Sequence, residues 1–335
     1  MGVRSEGETA LRPSVAVVIP CYKVTRHIKH VIDEICSDVD VIYCVDDHCP
    51  EGSGAFIEGN VTDPRVRVIR NEVNKGVGGA VMAGYRRAIE DGMDILVKVD
   101  GDGQMDPALL RYFVAPIASG EADYTKGNRF WDLRAIRQMP LIRRVGNLGL
   151  SFMAKFSSGY WDIFDPTNGY TAIHARVAER LPHESISSRY FFETDMLFRL
   201  NTLRASVVDV PMDAKYGNEE SNLDVSKALF EFSAKHLRNF LKRIGYNYFL
   251  RDLSIASAEL VIGLLLGIFA IVFGSYHWLQ ALSTGNATPV GTIMIATVAA
   301  VSGLQFVLAF IAYDIANMPK RALHPSLQKQ HEPRS

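Results

Sequence analysis

Along the first 220 residues, short apolar and β-branched runs alternate with stretches whose apolar positions repeat at helical spacing. VAVVIP (15–20), VDVIYCV (39–45), RVRVI (65–69) and DILVKV (94–99) predict strands, and 26–36, 77–91 and 107–118 predict the helices between them. This alternation is that of an α/β fold, a parallel sheet with helices on both faces. SVVDVPM (206–212) reads as a later strand. Beyond it, residues 225–250 place Leu229, Phe232, Leu237, Phe240, Leu241 and Ile244 near one helical face, with Lys235, Arg238, Lys242 and Arg243 elsewhere. Such a helix is expected in the headgroup region of a bilayer, basic side toward lipid phosphates.

Two long apolar stretches follow, 253–279 and 289–313, joined by the polar connector QALSTGNAT. Each exceeds the roughly 20 apolar residues that cross a hydrocarbon layer. The connector has no Lys or Arg, whereas KHLRNFLKRIGYNYFLR precedes the first span and NMPKRALHPSLQK follows the second. The positive-inside rule then puts both chain ends in the cytoplasm, at an inner membrane. The expected divisions are a disordered polar N-terminus (1–13) with no signal peptide, a cytosolic domain (14–223), the juxtamembrane helix (224–250), a two-helix anchor (253–313) and a cytosolic tail (314–335).

Composition alters this picture little. With 36 Lys and Arg against 37 Asp and Glu, the 335-residue chain has a net charge of -1, so no global field recruits nucleic acid. Cys21, Cys36, Cys44 and Cys49 are expected as free thiols in a reducing compartment, because no second Cys or His pair completes a zinc set. Two spans are too few for a pore unless subunits assemble, and a homo-oligomer is left open.

The chemistry gathers where the apolar runs stop. Ligands of parallel sheets sit beyond the carboxyl ends of the strands, and here those ends read Pro20-Cys21-Tyr22-Lys23, Asp46-Asp47-His48, Asn71-Glu72 and Asp100-Gly101-Asp102. NKGVGGAVMAG (74–84) fails the dinucleotide fingerprint, since the third glycine would fall at Val81, and it fails the Walker pattern too. It reads as a helix start with Asn74 near the cap and small residues that allow close approach. In VKVDGDGQMDP, Asp100 and Asp102 can project together if strand geometry persists past Val99. Two convergent carboxylates suit a hard cation such as Mg²⁺ or Mn²⁺ that keeps positions open for phosphate oxygens. Asp106 before Pro107 reads as a helix cap instead.

Taken in order, VVIPCYK, VDDHCPEGSG, NKGVGGAVMAGYRRA, VKVDGDGQMDP, TKGNRF, NGYTAI and FFETDML resemble the family 2 glycosyltransferases of the GT-A fold. The two spans are similar to those of membrane-anchored bacterial members related to dolichyl- and polyprenyl-phosphate sugar synthases. The resemblance implies a mostly parallel GT-A sheet with flanking helices. It also implies inverting transfer of a sugar from a nucleotide-diphosphate donor to a lipid-borne acceptor. By position, Pro20, Tyr22, Asp46 or Asp47, and Lys75 would hold the donor's nucleoside. Asp100 and Asp102 would bind the metal on its diphosphate, with Gln104 beside them.

Asp195 matches the acid that approaches the acceptor. It would act as general base on a sugar hydroxyl of a lipid-linked glycan, or as a positioning group if the acceptor is a polyprenyl phosphate, which is already ionised. Glu193 is expected to be a helix-surface acid. Where polyprenyl-phosphate synthases usually carry Arg-x-x-Gly-x-Ser, this chain has AKYGNEESNL (214–223). Lys215, Tyr216 and Ser221 are then the acceptor-side candidates, with a tyrosine in the arginine's place. A basic loop (128–147) is a further candidate to cover the acceptor.

Overall fold

A computed structural model describes residues 12–132, 141–213 and 225–328 of the chain. Lys215, Tyr216, Ser221 and the expected N-terminal segment to residue 11 lie outside the described residues. Seven strands form one sheet: β1 Val15–Cys21, β2 Val41–Asp46, β3 Val66–Arg70, β4 Ile95–Lys98, β5 Tyr124–Asn128, β6 Thr171–His174 and β7 Val207–Pro211. Their order is β3-β2-β1-β4-β6-β5-β7. Pairing is parallel except for β6, which runs antiparallel to both β4 and β5. The four predicted strands and SVVDVPM are all present. β5 (YTKGN) and β6 (TAIH) were not predicted as strands, being four or five residues long without an extended apolar run.

Side-chain alternation on the central strands divides the core in two. Ala16, Val18, Tyr43, Val45 and Leu96 face one way, against Val81 and Tyr85 of the Gly76–Glu90 helix. Val17, Ile19, Ile42, Cys44, Ile95 and Val97 face the other, with Ile28, Val31 and Phe113 from the Ile28–Asp33 and Leu110–Ala118 helices. Asp106 accepts from the Ala108 N–H at 3.1 Å, the cap expected of Asp-Pro, and opens a short 3₁₀ turn at Pro107–Leu109. All four cysteines are free thiols.

The described residues fall into two units, one running to His236 and resuming at Pro319, the other Leu237–Met318. In the second, helices Ile255–Thr284 and Val290–Ala316 are long and apolar enough to cross a membrane. They approach closely at glycines: a Cβ on Gly303 would lie 2.9 Å from the Gly267 nitrogen and 3.0 Å from the Gly263 oxygen. One expectation fails here. Arg243, assigned to the basic lipid-facing side of the juxtamembrane helix, is buried and forms a two-bond ion pair with Asp314 (2.6 and 3.0 Å), which also accepts from the Tyr248 hydroxyl at 2.6 Å. A guanidinium removed from water needs such a partner, and Asp314 at the end of the second apolar helix supplies it.

The segment after the second apolar helix, expected only as a tail, packs into the first unit. The buried Asp123 carboxylate accepts from the backbone N–H of Leu323 and His324 at 2.7 and 2.8 Å, from Ser206 N–H at 2.9 Å, and pairs with His324 Nδ1 at 2.8 Å. The His324 ring stacks on buried His174, with centroids 4.1 Å apart. Burial first, and His324 second, push the His174 imidazole from 6.5 down to about 4.

Removing Asp123 would strand a buried histidine and three backbone amides, so Asp123→Ala should cost about 3–5 kcal/mol. Faster tryptic cleavage after Arg321 would report the freed tail. His174 is held neutral in the folded state while the unfolded chain takes up a proton near pH 6.5, so its contribution is complete above that pH and is lost as the pH falls toward 4. Thermal melts between pH 7.5 and 4.5 should show this decline, and His174→Gln should flatten it.

Candidate active site

The carboxyl ends of β1, β2 and β4 open into a cavity of about 710 Å³. Pro20, Tyr22 and Lys23 line it from the end of β1, Asp47 from the end of β2, and Asp100, Gly101 and Asp102 from the segment after β4. Among the sequence-predicted residues, the fold thus brings together Pro20, Tyr22, Asp47, Asp100 and Asp102. The aspartates meet through a turn rather than through strand pleating: β4 stops at Lys98, and Gly103 takes φ +77°, open to glycine without strain. Asp102 Oδ1 accepts from the Gln104 N–H at 2.9 Å, which closes that turn, and the Gln104 side chain is not on the cavity wall.

Several expected members have other employment. Asp47 caps the Gly76–Glu90 helix, accepting from the Lys75 N–H at 2.9 Å and the Gly76 N–H at 2.7 Å, and also from the Asn71 amide at 2.8 Å. A carboxylate at a helix N-terminus is favoured by the dipole as well as by these bonds. Asp46 shapes the next loop, accepting from Cys49 and Gly54 N–H at 2.8 Å each, and lines a separate cavity of about 240 Å³. The Lys75 side chain is exposed and does not line the larger cavity. Asp195 is buried, accepting from the Ser187 N–H at 2.9 Å and from Arg199 Nε at 3.0 Å, and it is likewise absent from the wall.

The glycine cluster does both things expected of it. A Cβ on Gly78 would meet Phe192 and the Ser187 oxygen at 2.5 and 2.6 Å, so this glycine serves packing, while Gly76 reaches the cavity. The packing brings the 187–192 segment over the strand ends, and with it Arg189 and Tyr190. Sequence reading missed Arg189 and His27, both on the wall, because no local pattern marks a loop residue that another element carries into place.

Beneath the wall lies the largest omission. Lys98, the final residue of β4, is buried, and its ammonium lies 2.7 Å from Asp100 Oδ1, 3.0 Å from the Gly169 carbonyl oxygen and 3.3 Å from Glu193 Oε1. Glu193 is therefore no surface acid; it is 8% exposed. Burial alone would push the Lys98 ammonium down, but Asp100 and Glu193 carry it above its ordinary range, so it stays charged. A lysine inside the apolar run DILVKV was the available signal, since a charge in a doubly covered strand must have a buried partner. Two strands over, on β5, Lys126 is equally buried, and burial pushes it down to about 8 despite Glu193, Asp165 and Asp209 nearby. It donates to the Asn168 oxygen at 2.5 Å, while Arg129 makes a two-bond pair with buried Asp165 (2.7 and 3.0 Å).

The donor set fits a hard divalent cation. Asp100 spends Oδ1 on Lys98, its Oδ2 receives no hydrogen bond from the described residues, and Asp102 lines the same wall. No cluster of three His, Cys, Asp or Glu side chains suited to a metal occurs among the described residues, so an ion here would complete its shell with ligand oxygens and water.

The model of glycosyl transferase family 2 matches residues 16–181. The undecaprenyl-phosphate mannosyltransferase of Micrococcus luteus is 30% identical over 203 residues, covering 59% of this chain and 82% of that protein. This chain belongs to glycosyl transferase family 2. Another member, the UDP-N-acetylglucosamine–dolichyl-phosphate N-acetylglucosaminyltransferase of Methanococcus voltae, is 29% identical over 216 residues, 60% of this chain and 86% of its own. The fold is shared with glucosyl-3-phosphoglycerate synthase of Mycobacterium tuberculosis. In its crystal structure with Mn²⁺, uridine diphosphate and phosphoglyceric acid, that synthase superposes with a TM-score of 0.51 at 17% identity, over 70% of this chain and 79% of the synthase.

In this family 2 transferase, Gly169 has no room for a side chain. A Cβ there would lie 2.5 Å from Asp100 Oδ2 and 2.6 Å from Lys98 Nζ. Gly169→Ala should displace Asp100 and lower glycosyl transfer on the order of 10²-fold, as misplacing a reacting group does, while changing the melting temperature little.

Proposed function

We propose that this protein is a membrane-anchored, divalent-metal-dependent sugar transferase that inverts the anomeric centre as it moves a sugar from a nucleotide diphosphate to polyprenyl phosphate. The observation that carries this reading is the single cavity that gathers Asp100 and Asp102 with Lys23 and Arg189 at the strand ends. Mg²⁺ or Mn²⁺ on the two aspartates would take up the charge of the departing nucleoside diphosphate. Tyr22, 44% exposed at the mouth, offers a ring face to the nucleobase, Asp47 and Pro20 border the nucleoside, and the cations Lys23 and Arg189 face the diphosphate. An acceptor oxygen attacks the anomeric carbon from the face opposite the diphosphate, forming one C–O bond as the other breaks. Relatives that use dolichyl and undecaprenyl phosphate support a phosphate acceptor.

The burial of Asp195 in an ion pair with Arg199 favours the same acceptor over a sugar hydroxyl. A phosphate oxygen is already ionised and has no proton to lose, so no base is needed. Asp195 then serves to hold the Ser187–Arg199 region in place.

A lipid-borne acceptor must be met at the bilayer, and the first unit has a surface for it. On the Leu141–Ser158 helix, Leu141, Val145, Leu148 and Phe152 are all exposed and spaced 4, 3 and 4 residues apart, which puts them on one face. The sequence of this helix contains no acid. Within the proposed layout, residues 14–223 form the catalytic domain, 224–250 the juxtamembrane helix and 253–313 the anchor in the cytoplasmic membrane. The return of residues 323–328 to the catalytic unit supports a two-span hairpin with the catalytic domain and both termini in the cytosol.

Purified full-length protein with radiolabelled nucleotide sugars and polyprenyl phosphate tests the reading directly. Excess chelator or Asp102→Ala should lower transfer on the order of 10²-fold or more. Unchanged turnover in both would remove the metal from the mechanism. Asp195→Asn should fall well short of the roughly 10²–10⁴-fold loss that removing a general base causes, and a loss of that size would favour a hydroxyl acceptor.

A further inference from the structure

Metal-binding aspartates on an open wall normally have to be held apart from one another and aimed, and here the aiming is done from inside the core. The Lys98 ammonium donates to Asp100 Oδ1 at 2.7 Å and to the Gly169 oxygen at 3.0 Å, and it pairs with Glu193 Oε1 at 3.3 Å. Its partners come from three separate elements, the turn after β4, the turn before β6 and the first turn of the Phe192–Leu203 helix. Lys98 is 1% exposed and Glu193 is 8% exposed, so neither can take part in binding from the cavity side.

Two physical consequences follow. Lys98 fixes the Asp100 carboxylate by Oδ1, and Oδ2 receives no hydrogen bond from the described residues. A cation 2.7 Å away would also cancel much of the charge that Asp100 offers to a metal, and Glu193 is the countercharge that prevents this. With Glu193 present the Lys98–Asp100–Glu193 group carries a net charge of -1, so Asp100 still faces the cavity as an anion. The same arrangement lets the empty site exist without two unpaired acids beneath it.

Resting on the proposed metal reading of Asp100 and Asp102, we propose that Lys98 and Glu193 are positioning residues that set the orientation and effective charge of Asp100, and thereby the affinity of the site for Mg²⁺ or Mn²⁺. The two act with opposite sign. Loss of the Glu193 charge lets Lys98 neutralise Asp100 and weakens the ion; loss of the Lys98 charge leaves Asp100 more anionic and tightens it, while making the ion-free protein less stable.

The test is Mn²⁺ titration of the full-length, detergent-solubilised protein with nucleoside diphosphate present, read by calorimetry and by the free-Mn²⁺ electron paramagnetic resonance signal. Thermal melts in chelator and in Mn²⁺ accompany it. Glu193→Gln, which keeps the size and removes the charge, should weaken Mn²⁺ about tenfold, the low end of what removing an outer partner of a metal ligand does. Lys98→Gln should bind Mn²⁺ at least as tightly as the unmodified protein. It should melt lower in chelator and recover in saturating Mn²⁺, because ligand bound only to the folded state stabilises it.

A weakened affinity in both variants, or a change in neither, would make the group a structural tie only and overturn the proposal. Should Glu193→Gln not fold, the Lys98→Gln arm decides alone: weaker binding without metal-dependent recovery overturns it. Unmodified protein that binds no Mn²⁺, with or without nucleotide, would instead sink the metal reading on which the proposal rests.

Discussion

A single ammonium group organises the cavity-bearing end of this sheet. Lys98 ends β4 with its charge inside the protein, and the structure has to surround that charge with acceptors or expel it. Asp100, the Gly169 carbonyl and Glu193 are those acceptors. Meeting the demand ties together the turn after β4, the turn that leads into antiparallel β6 and the helix that follows Phe191. The requirement is also why residue 169 has no side chain, since any Cβ would collide with both the ammonium and the carboxylate. The aspartate pair on the cavity wall is thus one face of a polar cluster whose other face is sealed.

Around this centre the same economy recurs with different outcomes. Lys126, on β5 two strands away and equally buried, donates to a carbonyl rather than to a carboxylate, and burial brings it down to about 8. Asp209, on the adjoining β7, is pushed up to about 7 by burial even though it accepts from the Phe164 N–H and the Asn128 amide. Buried Asp165 makes a two-bond pair with Arg129. Whether a buried charge persists depends on how directly an opposite charge meets it: Lys98 donates to a carboxylate, Lys126 to a carbonyl.

A second constraint acts at the far end of the strands. Asp123 collects two backbone amides and a histidine from residues 323–324, so a chain that has left the catalytic unit for two long apolar helices is pinned back to it. The second unit is closed independently, by the glycine-mediated approach of its helices and by the Arg243–Asp314 pair.

What the sequence determined by itself was whatever depends on local pattern. Apolar runs located the central strands, since a doubly covered strand is apolar throughout. The length of 253–279 and 289–313 announced the two apolar helices. Asp-Pro at 106–107 announced a cap, and the acidic turn at 100–102 announced the cavity wall. Tertiary structure decided everything that depends on which elements meet. Nothing local told that Glu193 lies under Asp100, that Arg189 is carried over the strand ends, or that Arg243 turns inward to Asp314. Nor did it tell that Asp195 and Asp47 commit their oxygens to Arg199 and to a helix start. A side chain's type sets what it can bind, but burial and partners set whether it is free to do so, and both are properties of the packed fold.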